Sequence, residues 1–490
     1  MKINFYFQNA YYKNVVVHFD LKGAAPKADF LLKVFKLIKS NGATGILLEW
    51  EDTFPFLGVL EENRATDAYS LEDVNKILKG ASDIGLNVIP LVQTFGHLEW
   101  ILKLDKFRKY RENDIFPQVI CLADGEAVSL VKEAIKQVIE VHIRYGISFF
   151  HIGADEAFQY GVCAKDMQWF AKNRKSKEVL AAEHLKNIAE YVKSFNSEIK
   201  VLAWHDMIRN FSPTIIESTR LDTIIEPVVW DYSETLQQQN DLTWRQLAGT
   251  FQTVWGSSAF KGANTPSTQE ISPIHYMRNN RQWLIHKKEY GLLFKEFRGL
   301  IITGWSRYDH FAVLSELLVS GIPSLVLNLQ VAQGGFYAGE DIVLKKTAQA
   351  MSCSHSIVVD DPKSLIGYGV FTAIHSDIPH LSERLEKEVF ADNSVRGWLG
   401  RMNIRHNYTQ LWYFSTIAPL VKSLQADADI TENKLRTLMG EIYSENTINE
   451  WIYEYLDPIT EKIKALSKAV ERLSRLRTFP RRSFKILRDI

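Results

Sequence analysis

Between residue 15 and about residue 330 the chain repeats one pattern: a short run rich in Val, Ile and Leu, then a longer segment, many of helical period. The runs are "VVVHFD", "TGILLEWE", "NVIPLVQTFGH", "ISFFHIGADE", "KVLAWHDM", "IIEPVVWDY", "TVWGSSAF" and "LIITGWSRYD". Such alternation is the signature of β/α units and a parallel sheet. Nearly every run carries its acids, histidines or tryptophans at the C-terminal end. An open doubly wound sheet would gather function near one switch point, whereas a (β/α)8 TIM barrel gathers it at the C-terminal ends of many strands. The pattern therefore predicts a TIM barrel. A ninth apolar run, "IPSLVLNLQ" at 322–330, leaves open which eight are the barrel strands.

The segments between runs read as crossover helices. Asp29 can cap "FLLKVFKLIKS", with Asn41 and Gly42 ending it. Ser70 and Asp73 resemble a capping box, closed downstream by Gly85. After about residue 340 the pattern changes to long helical periods with many charges. Thr447 with Glu450 fits a capping box, and Ile459, Ile463, Leu466, Val470 and Leu473 repeat at helical spacing. The expected division is a catalytic barrel over 1–335 and an α-helical C-terminal domain over 336–490. The helical face suits packing on the barrel or on a second copy of the chain as a homodimer, and the sequence does not choose. The basic end, "RLSRLRTFPRRSFKILRDI", reads as a solvated tail.

Lys plus Arg and Asp plus Glu number 58 each, so overall charge gives no reason to expect nucleic acid or an acidic membrane as partner. No apolar run reaches the roughly 18 residues of a membrane span. The three cysteines, Cys121, Cys163 and Cys353, are widely spaced, with no pair at metal-ligand or redox spacing. They read as free thiols. With "MKINFYFQNAYYKN" lacking the basic and apolar regions of a signal peptide, a soluble, reducing, cytoplasmic setting is expected.

"FFHIGADEAF" places Asp155 beside Glu156 where a strand ends. Neighbours on a regular strand face opposite ways, but a bend just past the strand can turn both to the barrel mouth. There, repulsion and burial would raise at least one pKa and make a usable acid. From the dipeptide alone, Asp155 could equally cap a following helix with Glu156 in solvent. The other strand ends supply Asp20, Glu51, Asp52, His97, Trp204, His205, Asp206, Trp230, Asp231, Tyr232, Trp305, Tyr308 and Asp309. Flat aromatic faces with carboxylates suit a sugar's C–H surface and hydroxyls.

The motifs "HFDLKGA", "EWEDTFP", "VIPLVQTFGH", "HIGADE", "SAFKGA" and "TGWSRYDHF" resemble glycoside hydrolase family 20, the exo-acting β-N-acetylhexosaminidases, and most closely its hexosaminidase D branch. The resemblance spans about residues 15 to 335. It implies substrate-assisted retention without a cofactor or metal. Glu156 would be the general acid and base, and Asp155 would hold the 2-acetamido group while its carbonyl attacks C1. Trp204, Trp230 and Trp305 would wall the acetamido pocket, and His97 and His151 would orient the acids. The substrate implied is a glycan or glycoconjugate ending in β-linked N-acetylgalactosamine or N-acetylglucosamine.

The sequence departs from the family where the rest of the sugar is held. Lys22 stands where the family has an arginine for O3 and O4. The family's Tyr-x-Asp reads Trp255-Gly256-Ser257, and its Trp-x-Glu reads Trp305-Ser306-Arg307. Asp52, Asp206 and Asp309 are candidates to rebuild those contacts. A metal-dependent sugar isomerase, which also collects Glu, Asp and His at strand ends, and a non-catalytic glycan-binding barrel are the alternatives.

Overall fold

The computed structural model describes residues 11–334, 339–351 and 366–482. Eight parallel strands close into a barrel in sequence order: β1 Asn14–Asp20, β2 Gly45–Glu49, β3 Asn87–Leu91, β4 Phe149–His151, β5 Lys200–Trp204, β6 Ile225–Trp230, β7 Thr253–Lys261 and β8 Glu296–Gly304. β8 pairs with β1, with Val16 opposite Ile301. Each of the eight runs supplies one strand.

Inside the barrel Val16, Leu47, Ile89, Leu91, Phe149, Leu202, Val228, Trp255 and Ile301 pack as a buried core. Each fully buried side chain of this size contributes roughly 1.5–3 kcal/mol. Trp204 belongs to this cluster, and Trp230 and Trp305 pack against it. The tryptophans at three strand ends thus belong to the core and also, as shown below, line the site.

The ninth apolar run is a helix, Leu318–Gly334, with Pro323 inside it. It packs on β7, on β8 and on the preceding crossover helix Pro273–Tyr290. A helix apolar on nearly all sides is a buried one, and a short apolar run does not distinguish it from a strand. The compact units divide at 366/367 and not at 335/336. Helix Glu340–Ala350 packs on Leu318–Gly334 and so belongs with the barrel.

Several local expectations change. Lys27, not Asp29, precedes helix Ala28–Ser40; Asp29 lies in its first turn and pairs with Lys76 at 2.7 Å. Asn41 and Gly42, the latter at φ +93°, end that helix, and the Ser70–Asp73 capping box is present. In the second unit Ser444 is the N-cap of helix Glu445–Tyr455, accepting from Thr447 N at 3.2 Å, so Thr447 is the capped residue. Ile463, Leu466, Val470 and Leu473 of helix Asp457–Ser474 are buried with Val421, Leu424 and Ala428 of helix Phe414–Gly440. The basic end lies partly outside the described residues, as does Cys353. Among the described residues, no helix is long and apolar enough to cross a membrane.

Cys121 and Cys163 are not free thiols: they form a disulfide with Cα atoms 5.9 Å apart. They stand 42 residues apart in sequence. The barrel brings them together because β3 and β4 are adjacent and each cysteine lies in the loop beyond one of those strands.

Candidate active site

At the C-terminal mouth a cavity of about 270 Å³ is lined by Lys22, Glu49, Gln93, His97, Asp155, Glu156, Trp204, Trp230, Tyr232, Trp305, Arg307, Tyr308 and the loop 262–266. This is at the small end of ligand pockets, suited to one sugar ring and not to a long chain. Both acids of "HIGADE" line it. They do so because the backbone leaves strand geometry at once: Gly153 (φ +63°), Ala154 (φ +75°) and Glu156 (φ +46°) are left-handed. For a non-glycine residue such a conformation costs about 1–3 kcal/mol, which the surrounding contacts must offset.

Those contacts are specific. Ala154 N donates to Gln93 Oε1 at 3.2 Å, and a side chain at Gly153 would collide with the same Gln93 amide. Glu156 N donates to Asp206 Oδ2 at 2.8 Å, and Gln118 Nε2 donates to the Glu156 carbonyl at 2.8 Å. The other oxygen of Asp206 accepts from Trp230 Nε1 at 3.0 Å. Asp206 therefore ties the tryptophan of β6 to the backbone of Glu156. Gly96 allows the next loop to approach: a Cβ there would strike the Asp155 carbonyl. The next helix begins only at Ala164, capped by Cys163, so Asp155 caps no helix.

His97, itself left-handed at φ +52°, faces both acids. Its Nε2 lies 3.2 Å from Glu156 Oε2 and 3.6 Å from Asp155 Oδ2. Burial opposes charge on the His97 ring, but Asp155, Glu156 and Glu99 outweigh it and raise its pKa to about 10. Asp155 is 7% exposed, and its Oδ1 has no hydrogen-bond partner among the described residues. Burial, against the pull of His97 and with help from Asp206 and Glu156, pushes its carboxyl up to about 7.

A second charged cluster sits beside the acids. Lys22 Nζ lies 2.9 Å from Asp20 Oδ2 and 3.7 Å from Glu51 Oε1, and 5.3 Å from the centre of the Trp305 ring. Burial opposes its charge, but Asp20, Glu49 and Glu51 hold its pKa well above the usual lysine range. Glu49 in turn takes His18 at 3.0 Å and Gln93 at 3.3 Å. The aromatic wall is built from two pairs: Trp204 and Trp305 are 6.2 Å apart between centroids, and Trp230 stacks on Tyr232 at 5.4 Å.

Not every candidate reaches the cavity. His151 is fully buried behind Trp204, 4.4 Å between ring centroids, with Nδ1 accepting from Gly153 N; burial lowers its pKa to about 3, so it acts as a neutral support. Asp206 is likewise behind the wall. Asp52 is turned to Lys103 at 3.1 Å and His310 at 3.6 Å, and Asp309 caps the turn at Phe311 and Ala312, so neither lines the cavity. Trp255 is part of the barrel core and donates to Glu226 at 2.8 Å. Tyr232, one of the strand-end residues, does line the cavity, and so do Glu49, Gln93, Arg307 and the loop 262–266, which strand-end position does not single out. Glu49 and Gln93 lie within the quoted motifs "EWEDTFP" and "VIPLVQTFGH", which do not by themselves say which residue faces the cavity, whereas Tyr232 lies two residues past Trp230 at a strand end.

The catalytic-domain model of glycosyl hydrolase family 20 matches residues 37–268. Over a longer span, Hexosaminidase D of Homo sapiens is 32% identical across 468 residues, covering 94% of each chain. The chain belongs to glycosyl hydrolase family 20. Hexosaminidase D of Bos taurus is 40% identical over 326 residues, 66% of this chain and 93% of that one. These relatives put the chain in the hexosaminidase D branch, a glycoside hydrolase of the β-N-acetylhexosaminidase type. Among solved structures, a β-N-acetylhexosaminidase from Bacteroides fragilis shares the fold at 15% identity and a TM-score of 0.50, over 67% of each chain. Flavobacterium johnsoniae chitobiase does so at 12% identity and a TM-score of 0.50, over 95% of this chain and 73% of that one. The family match includes His97, Asp155, Glu156, Trp204 and Trp230 but leaves out Lys22 and Trp305-Ser306-Arg307, two of the places where the sequence departs from the family pattern. Membership also removes the sugar isomerase reading.

Proposed function

We propose that the enzyme removes a terminal β-linked N-acetylhexosamine by a retaining, substrate-assisted mechanism, with N-acetylgalactosamine preferred over N-acetylglucosamine. The observation that carries this reading is that Asp155 and Glu156, adjacent in sequence, both line one small cavity and both face His97. The family resemblance implies that this pair departs from the usual division of labour between two opposed carboxylates. One acid serves the leaving group and the other serves a nucleophile carried by the substrate.

In the first step Glu156 gives its proton to the glycosidic oxygen as the C1–O bond breaks. The acetamido carbonyl oxygen bonds to C1, forming an oxazolinium ion. Asp155 accepts the acetamido N–H and stabilises the charge that builds there. In the second step Glu156 takes a proton from water as its oxygen attacks C1, and the ring opens to the free sugar. The wall of Trp204, Trp230 and Trp305 excludes water and packs on the acetamido methyl group. Tyr232, whose phenol neighbours Ser257, Thr303 and Trp305 and feels the field of Asp155, supplies the donor to the acetamido carbonyl in place of the family's Tyr-x-Asp. Lys22 takes the sugar hydroxyls in place of the arginine.

The preference for N-acetylgalactosamine rests on the leaning of the hexosaminidase D branch. Matched aryl N-acetyl-β-galactosaminide and glucosaminide substrates test it, with kcat/KM expected to be higher for the galactosaminide. On the same substrates Glu156→Gln should lose most activity when the leaving group is poor and least when it is good. Equal ligand binding with no turnover by the wild-type protein would instead support the glycan-binding reading.

A further inference from the structure

Beyond Glu156 the chain runs seven residues to Cys163, and there four side chains with ligand chemistry meet. The Glu112 and Asp166 carboxylates and the Cys121 and Cys163 sulfurs lie with their ligating atoms all within 4.8 Å of one another. Glu112 is 4% exposed, Cys121 3% and Asp166 fully buried. One oxygen of each acid is fixed by the backbone: Glu112 Oε1 accepts from Val162 N and Cys163 N, and Asp166 Oδ1 accepts from Ala123 N at 2.7 Å. Their other oxygens, Glu112 Oε2 and Asp166 Oδ2, are buried without a hydrogen-bond donor among the described residues. Two buried acceptors facing one another need either a shared proton or a cation between them, because an unpaired buried carboxylate costs several kcal/mol.

We infer that the reduced form of this cluster is a structural zinc site, with Cys121, Cys163, Glu112 and Asp166 as its four ligands. Thiolates select a borderline-soft ion, and four protein ligands close a tetrahedral shell with no position left for water or substrate. The ligands are oriented in advance by the backbone N–H groups already named. Cys163 is also the N-cap of helix Ala164–Asn173, its sulfur accepting from Asp166 N at 3.3 Å. A helix N-terminus favours the thiolate that zinc requires. Disulfide and zinc are alternative ways of tying the loop after β3 to the loop after β4, and the thiol form is the one that persists in a reducing compartment. The loop after β3 also carries Gln118, which holds the Glu156 carbonyl, so the site braces the segment that positions Glu156.

A phosphine opens the disulfide in the full-length protein, taking the oxygen of one water and leaving two thiols. Metal binding then exchanges the two S–H protons, released to solvent, for two S–metal bonds. The reduced, desalted protein is titrated with Co²⁺ and then with Zn²⁺. A thiolate-to-cobalt charge-transfer band that saturates at one ion per chain, disappears on adding Zn²⁺, and is absent from the oxidised protein is expected. Zn²⁺ should raise the melting temperature of the reduced protein and leave the oxidised protein unchanged. Glu112→Gln and Asp166→Asn should each weaken Co²⁺ binding about 10–100-fold or more. Absence of the band in reduced wild-type protein, its persistence in the Cys121→Ser/Cys163→Ser double variant, or an equal melting shift in both redox forms would overturn the assignment. Wild-type protein suffices for the first and third comparisons, so a variant that fails to fold does not shield the inference.

Discussion

Asp206 accepts the backbone N–H of Glu156 at 2.8 Å through one oxygen and the Trp230 indole N–H at 3.0 Å through the other. Both partners are donors, so both oxygens of Asp206 must be acceptors. Asp206, a candidate for the sugar hydroxyls by its strand-end position, is instead what holds the backbone of left-handed Glu156 and the indole of Trp230.

Asp206→Asn puts an NH2 group opposite one of those two donors and breaks that contact. A displacement of about 1 Å at a reacting group costs on the order of 100-fold in rate, so kcat on an aryl N-acetylhexosaminide should fall by about that factor. Asp206 is a positioning residue, and a melting temperature close to wild type alongside the lost kcat would separate this role from simple unfolding.

The acid limb of the pH–rate profile should report Asp155. Its carboxyl is pushed up to about 7 by burial, with Asp206 and Glu156 adding to the shift and His97 opposing it. Below that pH it protonates and can no longer stabilise the oxazolinium ion, so kcat/KM falls as pH drops through about 7. His97→Gln removes the cation that favours the Asp155 anion. The limb should then move to higher pH; a limb that stays put or moves down would count against the assignment.

Tyr232→Phe keeps the stack on Trp230 and removes the phenol O–H. If that O–H polarises the acetamido carbonyl, kcat/KM should fall about 10²–10³-fold, the usual loss for one such donor. Inhibition by a thiazoline that imitates the oxazoline should weaken in parallel. Unchanged inhibition would place the phenol away from the acetamido group.

The barrel was legible because apolar runs of strand length alternate with helical ones and end in polar residues. The helix Leu318–Gly334 was not, since its interior position makes it apolar on every side and erases its period. The acid pair was legible as a pair, but its shared orientation depends on left-handed Ala154 and Glu156, which no residue preference announces. Asp52 and Asp309 shared the strand-end signal and yet serve neighbouring loops, because position at a strand end does not say which way a side chain turns. Glu49 and Gln93 fall within quoted motifs, but their place in the cavity lining follows only from the contacts they make. The Cys121–Cys163 pairing depends on the adjacency of β3 and β4, which sequence separation conceals.

The central claim is that the substrate's acetamido oxygen is the nucleophile and Asp155 its partner. Aryl glycosides bearing N-acetyl, N-fluoroacetyl, N-difluoroacetyl and N-trifluoroacetyl groups vary the nucleophilicity of that oxygen while leaving the leaving group fixed. If the oxygen attacks C1, kcat/KM falls steeply with each added fluorine, because electron withdrawal weakens the carbonyl as a nucleophile. A series that stays flat would contradict the account and assign the attack to an enzyme carboxylate or to water.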